Sequence, residues 1–295
     1  MMLSKRQIDR RAMLRCSAEA AAFAAGLSAF GPLLAAPTGR GFKIGACDWC
    51  LGKRADPAAL DVARQIGLDG VQADLVTGGG IMPLQKPEVQ QQYRAALKRT
   101  GLELASLALG ELNSVPLKSD PRAAAWVAQS IDVCATLGLR VVLIAFFGKG
   151  DLDMARTAEI DHVVQTLKQL APQAEKKGVI LGLENYLSAE DNRTILDRVG
   201  SPAVQVYYDV GNSTDKGRDV VKEIRALGPR ICEFHAKDAG YMLGQGRIDF
   251  HAVRKAIDDA GYRGWLQIEA ATPHGLIPDY RADCKYLRGI FPART

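Results

Sequence analysis

Short β-rich apolar runs alternate with longer stretches of helical periodicity throughout residues 41–291. The pattern predicts eight strands, Lys43–Cys47, Gly70–Ala73, Glu103–Leu107, Val141–Ile144, Ile180–Glu184, Gln205–Asp209, Ile231–His235 and Leu266–Glu269. Amphipathic segments between them predict helices that include Pro57–Ile66, Pro87–Arg99, Pro121–Leu137, Ala158–Lys177 and Phe250–Ala260. Several open on proline, whose missing N–H has no partner in a first helical turn anyway. Helical patterns stop at Gly67, Gly101, Gly138, Gly178, Gly200, Gly228 and Gly261, seven stops for the seven returns from helix to strand. Strands alternating with helices imply a parallel sheet. An open, doubly wound sheet is the competing architecture. Eight units favour closure into one α/β, (β/α)8 barrel domain over 41–291, with no linker dividing it.

The first 36 residues read differently. Arg10-Arg11 precedes an apolar, alanine-rich run from Ala18 to Ala36 that ends in small residues before Pro37. That is the pattern of a cleavable twin-arginine export signal; the competing reading is a short amphipathic helix packed on the barrel. Glu19 and Gly26 interrupt the run, which argues against a retained membrane anchor. Cys16 lacks the small-residue context of a lipoprotein site. The segment carries five basic and two acidic side chains. Without it the formal charge falls from +5 to +2, with 33 basic and 31 acidic residues over 259 positions. No basic surplus remains to argue for nucleic acid or an anionic membrane. The expected location is the periplasm or beyond, with the twin-arginine translocase as a transient partner.

Cys47, Cys50, Cys134, Cys232 and Cys284 are odd in number and widely spaced, which is no disulfide framework. Cys47-Asp48-Trp49-Cys50 is formally C-x-x-C but ends a strand, where residues three apart face opposite ways. A shared metal or redox role needs a bend there; a buried pair of small hydrophobes or an adventitious disulfide is the plainer expectation. Gly78-Gly79-Gly80 lacks the Gly-Lys-Ser/Thr ending of a phosphate loop and is expected to be a flexible loop.

Chemistry concentrates at the ends of the last four strands. Glu184 ends Val-Ile-Leu-Gly-Leu-Glu, Asp209 ends Val-Gln-Val-Tyr-Tyr-Asp, His235 ends Ile-Cys-Glu-Phe-His and Glu269 ends Trp-Leu-Gln-Ile-Glu. Their spacings of 25, 26 and 34 residues each match about one strand–helix unit. In a closed parallel barrel such residues converge on one face, where barrel enzymes act. Three carboxylates and an imidazole form a mostly hard donor set for one divalent cation, Mn²⁺ or Mg²⁺ first, with Co²⁺ or Zn²⁺ as alternatives. Gly182, Tyr207, Glu233 and Gln267 lie two positions earlier on the same inward face, with Gln205 one step below Tyr207. This polar layer is expected to hold the ligands by hydrogen bonds; a structural ion pair such as Glu233 with Lys237 is the alternative. Glu184 and Glu269 are also candidates to take and return a proton beside a carbonyl, through an ene-diolate. Trp49, Phe146, Phe147, Tyr186 and Tyr241 lie at or beyond strand ends, and Trp49 and Phe147 are the preferred faces for sugar C–H groups.

Gly182-Leu-Glu-Asn185, Tyr208-Asp-Val-Gly-Asn212, Phe234-His-Ala-Lys-Asp238, Leu243-Gly-Gln-Gly-Arg-Ile-Asp249 and Trp265-Leu-Gln-Ile-Glu269 together resemble the xylose-isomerase-like TIM-barrel superfamily of sugar isomerases and epimerases. They cover the second half of the barrel in order; the first half is similar only in layout. The resemblance implies that Glu184, Asp209, His235 and Glu269 bind a divalent cation, with the two glutamates as the proton-transfer pair. Ketose 3-epimerases of this superfamily place a histidine three residues after the aspartate, where Asn212 stands, and an arginine six residues after the metal histidine, where Tyr241 stands. Both positions touch substrate in that family. Asn212, Tyr241, Asn185, Trp49 and Phe147 are therefore the expected substrate contacts. Lys237 is a candidate donor or acid, or else a salt-bridge partner of Glu233 or Asp238. The DNA-repair branch needs a histidine-rich trinuclear zinc site. Here His162 falls within a helix and His251 at the start of another, leaving His235 and at most His274 near the site. The expected activity is isomerisation or epimerisation of a free or oxidised sugar. A lyase or dehydratase on a 3-keto sugar or keto-glycoside is the first alternative, and a non-catalytic carbohydrate-binding barrel the second. Related barrels form dimers or tetramers, so a homo-oligomer is open.

Overall fold

A computed structural model describes residues 41–76 and 82–293. The twin-arginine segment and Gly78-Gly79-Gly80 lie outside the described residues. Eight parallel strands close into a barrel in chain order: β1 (Lys43–Cys47), β2 (Gly70–Asp74), β3 (Glu103–Leu109), β4 (Val141–Ala145), β5 (Ile180–Glu184), β6 (Val204–Asp209), β7 (Ile231–Ala236) and β8 (Trp265–Ile268). Helices α1 (Ala59–Ile66), α2 (Pro87–Thr100), α3 (Pro121–Thr136), α4 (Thr157–Lys177) and α5 (Ala189–Val199) return the chain between the first strands. Two short helices, α6 (Val210–Asp215) and α7 (Val220–Leu227), follow β6; α8 (Phe250–Asp259) follows β7 and α9 (Leu276–Ile290) follows β8. All seven glycines expected to stop a helix take positive φ.

Period-2 alternation divides each strand between two cores. Outward residues such as Val142 and Ile144, or Leu181 and Leu183, join the shell packed against the helices. Inward residues form a smaller cluster of Ala108, Val141, Leu143, Ala145, Ile180 and Tyr207, with Trp49 and Phe147 packed against it. That apolar lining falls on the β3–β5 side. Across from it the interior is polar: Gln72, Ser106, Glu233, His235 and Gln267 are all buried. The barrel axis therefore has a greasy wall and a hydrogen-bonding wall, and chemistry belongs on the second.

Two register slips sharpen this division. Val71 pairs with Leu104 but Ala73 with Leu107, leaving an extra residue in β3 opposite Gln72. Val206 pairs with Ile231 but Tyr207 with Glu233, leaving Cys232 extra in β7. Bulges of this kind re-aim side chains and are common beside active sites. The first turns Ser106 towards Gln72, and the second turns Glu233 towards Tyr207.

β8 stops one residue short of the expected Glu269, yet the Glu269 N–H still donates to Ala236 O at 3.0 Å, so the ladder holds its position. The chain bends after Cys47, where the Cys50 N–H donates to Cys47 O at 3.0 Å. Both thiols are free, as are the other three cysteines among the described residues. Among the described residues no helix is long and apolar enough to cross a membrane.

The β2–β3 seam tolerates no side chain at Gly70, where a Cβ would stand 2.3 Å from the Glu103 carbonyl oxygen and 2.7 Å from the Trp265 ring. Gly70→Ala should destabilise the fold by about 1–3 kcal/mol, the usual cost of overpacking. Denaturant unfolding measures it, and an unchanged midpoint would contradict this account of the seam.

Candidate active site

Glu184 ends β5, Asp209 ends β6, His235 lies one residue before the end of β7, and Glu269 directly follows β8. One donor atom from each lies within 4.8 Å of the other three. Glu184, Asp209 and His235 are buried, and Glu269 is partly so. The four therefore form a group able to hold a metal ion.

Local hydrogen bonds decide which atoms are on offer. Asp209 caps α6: its Oδ1 accepts from the N–H groups of Gly211 at 2.7 Å and Asn212 at 2.9 Å. Its Oδ2 is buried and has no hydrogen-bond partner, with the Lys237 Nζ 3.8 Å away. A buried carboxylate oxygen left over in this way fits a cation ligand. His235 Nδ1 faces the group, 2.8 Å from Glu184 Oε1 and 3.5 Å from Glu269 Oε2. The other ring nitrogen, Nε2, lies 2.9 Å from Gln72 Oε1.

A directional chain sets the imidazole tautomer. The Ser106 and Tyr207 hydroxyls both donate to Glu233 Oε1, at 2.8 and 2.9 Å, and Gln267 Nε2 donates to the same oxygen at 2.8 Å. Having given their protons away, the two hydroxyls accept from Gln72 Nε2, each at 3.0 Å. The Gln72 carbonyl oxygen then faces His235 and accepts its Nε2–H. That leaves the Nδ1 lone pair for a cation, the usual division of labour in a ligating histidine. The ring is flanked by Tyr207 at 4.6 Å and Trp49 at 6.1 Å between centroids. Cys47 Sγ sits beneath, 3.4 Å from both His235 Nε2 and Gln72 Oε1.

Electrostatics follow from crowding. Burial pushes Asp209 up to about 7 against the pull of Lys237, and the Glu184 and Glu269 charges add to the rise. Burial would lower His235, but Glu184, Glu269 and Asp209 together lift it to about 9. Glu233 is raised by burial to about 7 despite its three donors. Lys237 lies 3.3 Å from Glu269 Oε2; burial lowers its pKa, yet Asp209, Glu269 and Glu184 hold it above the ordinary lysine value. Lys237 contacts neither Glu233 nor Asp238, so the ion pairs expected as alternatives do not form. Gly211 lets it pass: a Cβ there would lie 2.7 Å from the Lys237 Cβ and Cγ. Asp238 instead accepts backbone N–H bonds from Gly244, Gly246, Arg247 and Ile248 and shapes the loop after β7.

A cavity of about 300 Å³ opens above the group. Glu184, His235, Glu269, Lys237, Asn212, Trp49, Phe147 and Tyr186 line it. Ala108, Leu143 and Ala145 supply its apolar side. Tyr241 does not line it; that side chain is 55% exposed. Asn185 is also absent from the lining, because its amide exchanges hydrogen bonds with Asn192 and accepts from the Leu187 N–H. His274 is exposed and faces Asp279. Arg54, Asp74 and Asn113, from the first half of the barrel, line the cavity without having been expected. Gln72 and Ser106 were missed as well. The direction of Ser106 depends on a bulge in β3 that simple alternation does not reveal.

The family described as "Xylose isomerase-like TIM barrel" matches residues 60–290. A 2-epi-5-epi-valiolone 7-phosphate 2-epimerase of Actinoplanes sp. is 28% identical over 198 residues, 66% of this chain and 72% of that protein. An L-ribulose-5-phosphate 3-epimerase of Salmonella paratyphi A is 23% identical over 241 residues, 71% of this chain and 80% of that protein. Among solved structures, a D-allulose 3-epimerase from Methylomonas sp. superimposes with a TM-score of 0.70 at 17% identity, covering 87% of this chain and 99% of that one.

Two outcomes follow from the site geometry. Gln72→Leu should weaken divalent-cation binding by about 10–100-fold, the usual effect of losing the group that orients a ligating histidine. Titration of the metal-free protein with Mn²⁺ checks this, and unchanged affinity would contradict the tautomer chain. Cation uptake at neutral pH should also release protons, since a proton held on His235 up to about 9 must leave before Nδ1 can ligate. Apparent affinity then rises with pH and flattens near 9. Calorimetry in buffers of different ionisation enthalpy counts the protons, and a count of zero at pH 7 would contradict the assignment.

Proposed function

The chain belongs to the xylose isomerase-like TIM barrel family, and on that premise we propose that it is a divalent-metal-dependent sugar isomerase or epimerase. Its substrate is a free or oxidised sugar, and its chemistry is proton transfer beside a carbonyl through an ene-diolate. One observation carries this reading: Glu184, Asp209, His235 and Glu269 present donor atoms within 4.8 Å of one another, and Glu184, His235 and Glu269 line a cavity sized for a small ligand. The relatives named as sugar-phosphate epimerases support the reaction class.

A divalent cation held there, Mn²⁺ or Mg²⁺ by the hardness of three carboxylates, with Co²⁺ or Zn²⁺ as alternatives, supplies fixed positive charge against the negative charge that grows on substrate oxygens. Glu184 and Glu269 rise from positions three strands apart, so they reach a bound sugar from different sides. One removes a proton from carbon and the other returns one. Lys237, with its Nζ 3.3 Å from Glu269 Oε2, fixes the direction of that carboxylate. Trp49, Phe147, Leu143 and Ala145 face the C–H surface of the ring, and Asn212 offers an amide to a hydroxyl. The same ammonium favours a second reading: Lys237 can protonate a departing hydroxyl, which turns proton abstraction into elimination from a 3-keto sugar. Arg10-Arg11 and the alanine-rich run support export of the folded protein to the periplasm, where unphosphorylated sugars are the expected encounter.

Glu184→Gln and Glu269→Gln should each reduce exchange of a substrate C–H for solvent deuterium by about 10²–10⁴-fold, the scale of general acid–base catalysis. Mass spectrometry of keto sugars incubated in heavy water reads the exchange. Full label incorporation by either variant would remove that residue from the proton-transfer pair. A product of unchanged mass indicates isomerisation, whereas loss of water indicates elimination.

A further inference from the structure

β2 and β6 stand four strands apart in the closed order, so Asp74 at the end of β2 faces Asp209 across the barrel mouth. Asp74 shares the inward face with Gln72 and lines the cavity beside Arg54, Gly110 and Asn113. It is 3% exposed. Arg54 grips only one of its oxygens, with Nε 3.2 Å and Nη2 3.1 Å from Oδ2. The other, Oδ1, is buried and has no hydrogen-bond partner among the described residues. Asp48 holds the two segments together, since its Oδ2 accepts from the Asp74 N–H at 3.0 Å and the Ala55 N–H at 2.8 Å. Gly110 leaves the pair accessible: a Cβ there would lie 2.9 Å from Asp74 Oδ2 and 3.4 Å from Arg54 Nη2. None of these groups serves the metal-binding cluster or the two glutamates.

The charge balance of the lining is the second observation. Its two basic side chains other than the His235 imidazole are both matched, Arg54 by Asp74 and Lys237 by Glu269 and Asp209.

Resting on the proton-transfer reading of the same cavity, we propose that Asp74 and Arg54 are a specificity-determining pair. They receive a vicinal diol at the end of the sugar remote from the cation, and the enzyme accordingly selects an unphosphorylated, uncharged end there. The carboxylate accepts one hydroxyl at Oδ1, and the guanidinium N–H groups not spent on Oδ2 donate to its neighbour. A phosphate in that place would meet a buried carboxylate whose only cation is already engaged, and like charges brought together in this way reject a ligand. The sugar-phosphate epimerases among the relatives would differ from this chain at that end of the cavity.

The test measures binding of D-fructose and D-fructose 6-phosphate to the metal-loaded protein by competition calorimetry. The free sugar should bind at least about tenfold more tightly, the scale of one hydrogen bond to a charged group. Asp74→Asn should weaken the free sugar and strengthen the phosphate, narrowing or reversing the ratio. Arg54→Met should move the ratio the other way, since it strips Asp74 of its counter-charge. Arg54 is half exposed, so this variant carries the comparison if Asp74→Asn does not fold. Equal or tighter binding of the phosphate to the unaltered protein, or a ratio that neither substitution shifts, overturns the proposal. The ratio is read without turnover. Absence of deuterium exchange would therefore count against the proton-transfer reading and leave the pair standing.

Discussion

Like charges forced together at the barrel mouth are the constraint on which the site depends. At roughly 4 Å and an effective dielectric of about 20, two unit charges interact by about 4 kcal/mol. Three carboxylates within one small volume therefore repel strongly. The protein alone answers with the Lys237 ammonium and a proton retained on His235. A divalent cation answers better, because it opposes all three carboxylates at once and takes the place of that proton. The raised value of His235 is a consequence of the same crowding, and that of Asp209 is due first to burial and then to the neighbouring carboxylates.

Such crowding is useful only if the donors cannot turn away. Asp209 is fixed by capping α6. His235 is fixed by a chain that runs through Gln72, Ser106 and Tyr207 to Glu233 and Gln267, drawing on strands β2, β3, β6, β7 and β8. Each bond in it is worth roughly 1 kcal/mol net, but breaking one leaves a buried polar group unpaired at about 1–3 kcal/mol. The chain is thus better understood as a jig for the imidazole than as a source of stability. Apolar residues on β3 to β5 complete the cavity by giving a sugar ring something to lie against.

Much of this was legible in the sequence. Glycine stops and strand–helix alternation gave the barrel, with strand ends displaced by two residues at most. The four metal-binding candidates came from the ends of successive strands, where period and topology together determine direction. Gln72 and Ser106 escaped because they sit on first-half strands that carry no motif, and the direction of Ser106 is set by the bulge in β3. Asp74 and Arg54 escaped because the first half of the chain carries no motif beyond its layout. Tyr241 and Asn185 do not line the cavity: both lie in loops, where local hydrogen bonding and not strand period sets direction.

A crystal of the protein loaded with Mn²⁺, recorded for its anomalous signal, tests the central claim most directly. One strong peak is expected within coordination distance of Glu184, Asp209 through Oδ2, His235 through Nδ1, and Glu269. A peak elsewhere, ligation through the opposite ring nitrogen, or an empty barrel mouth at saturating Mn²⁺ would contradict the claim.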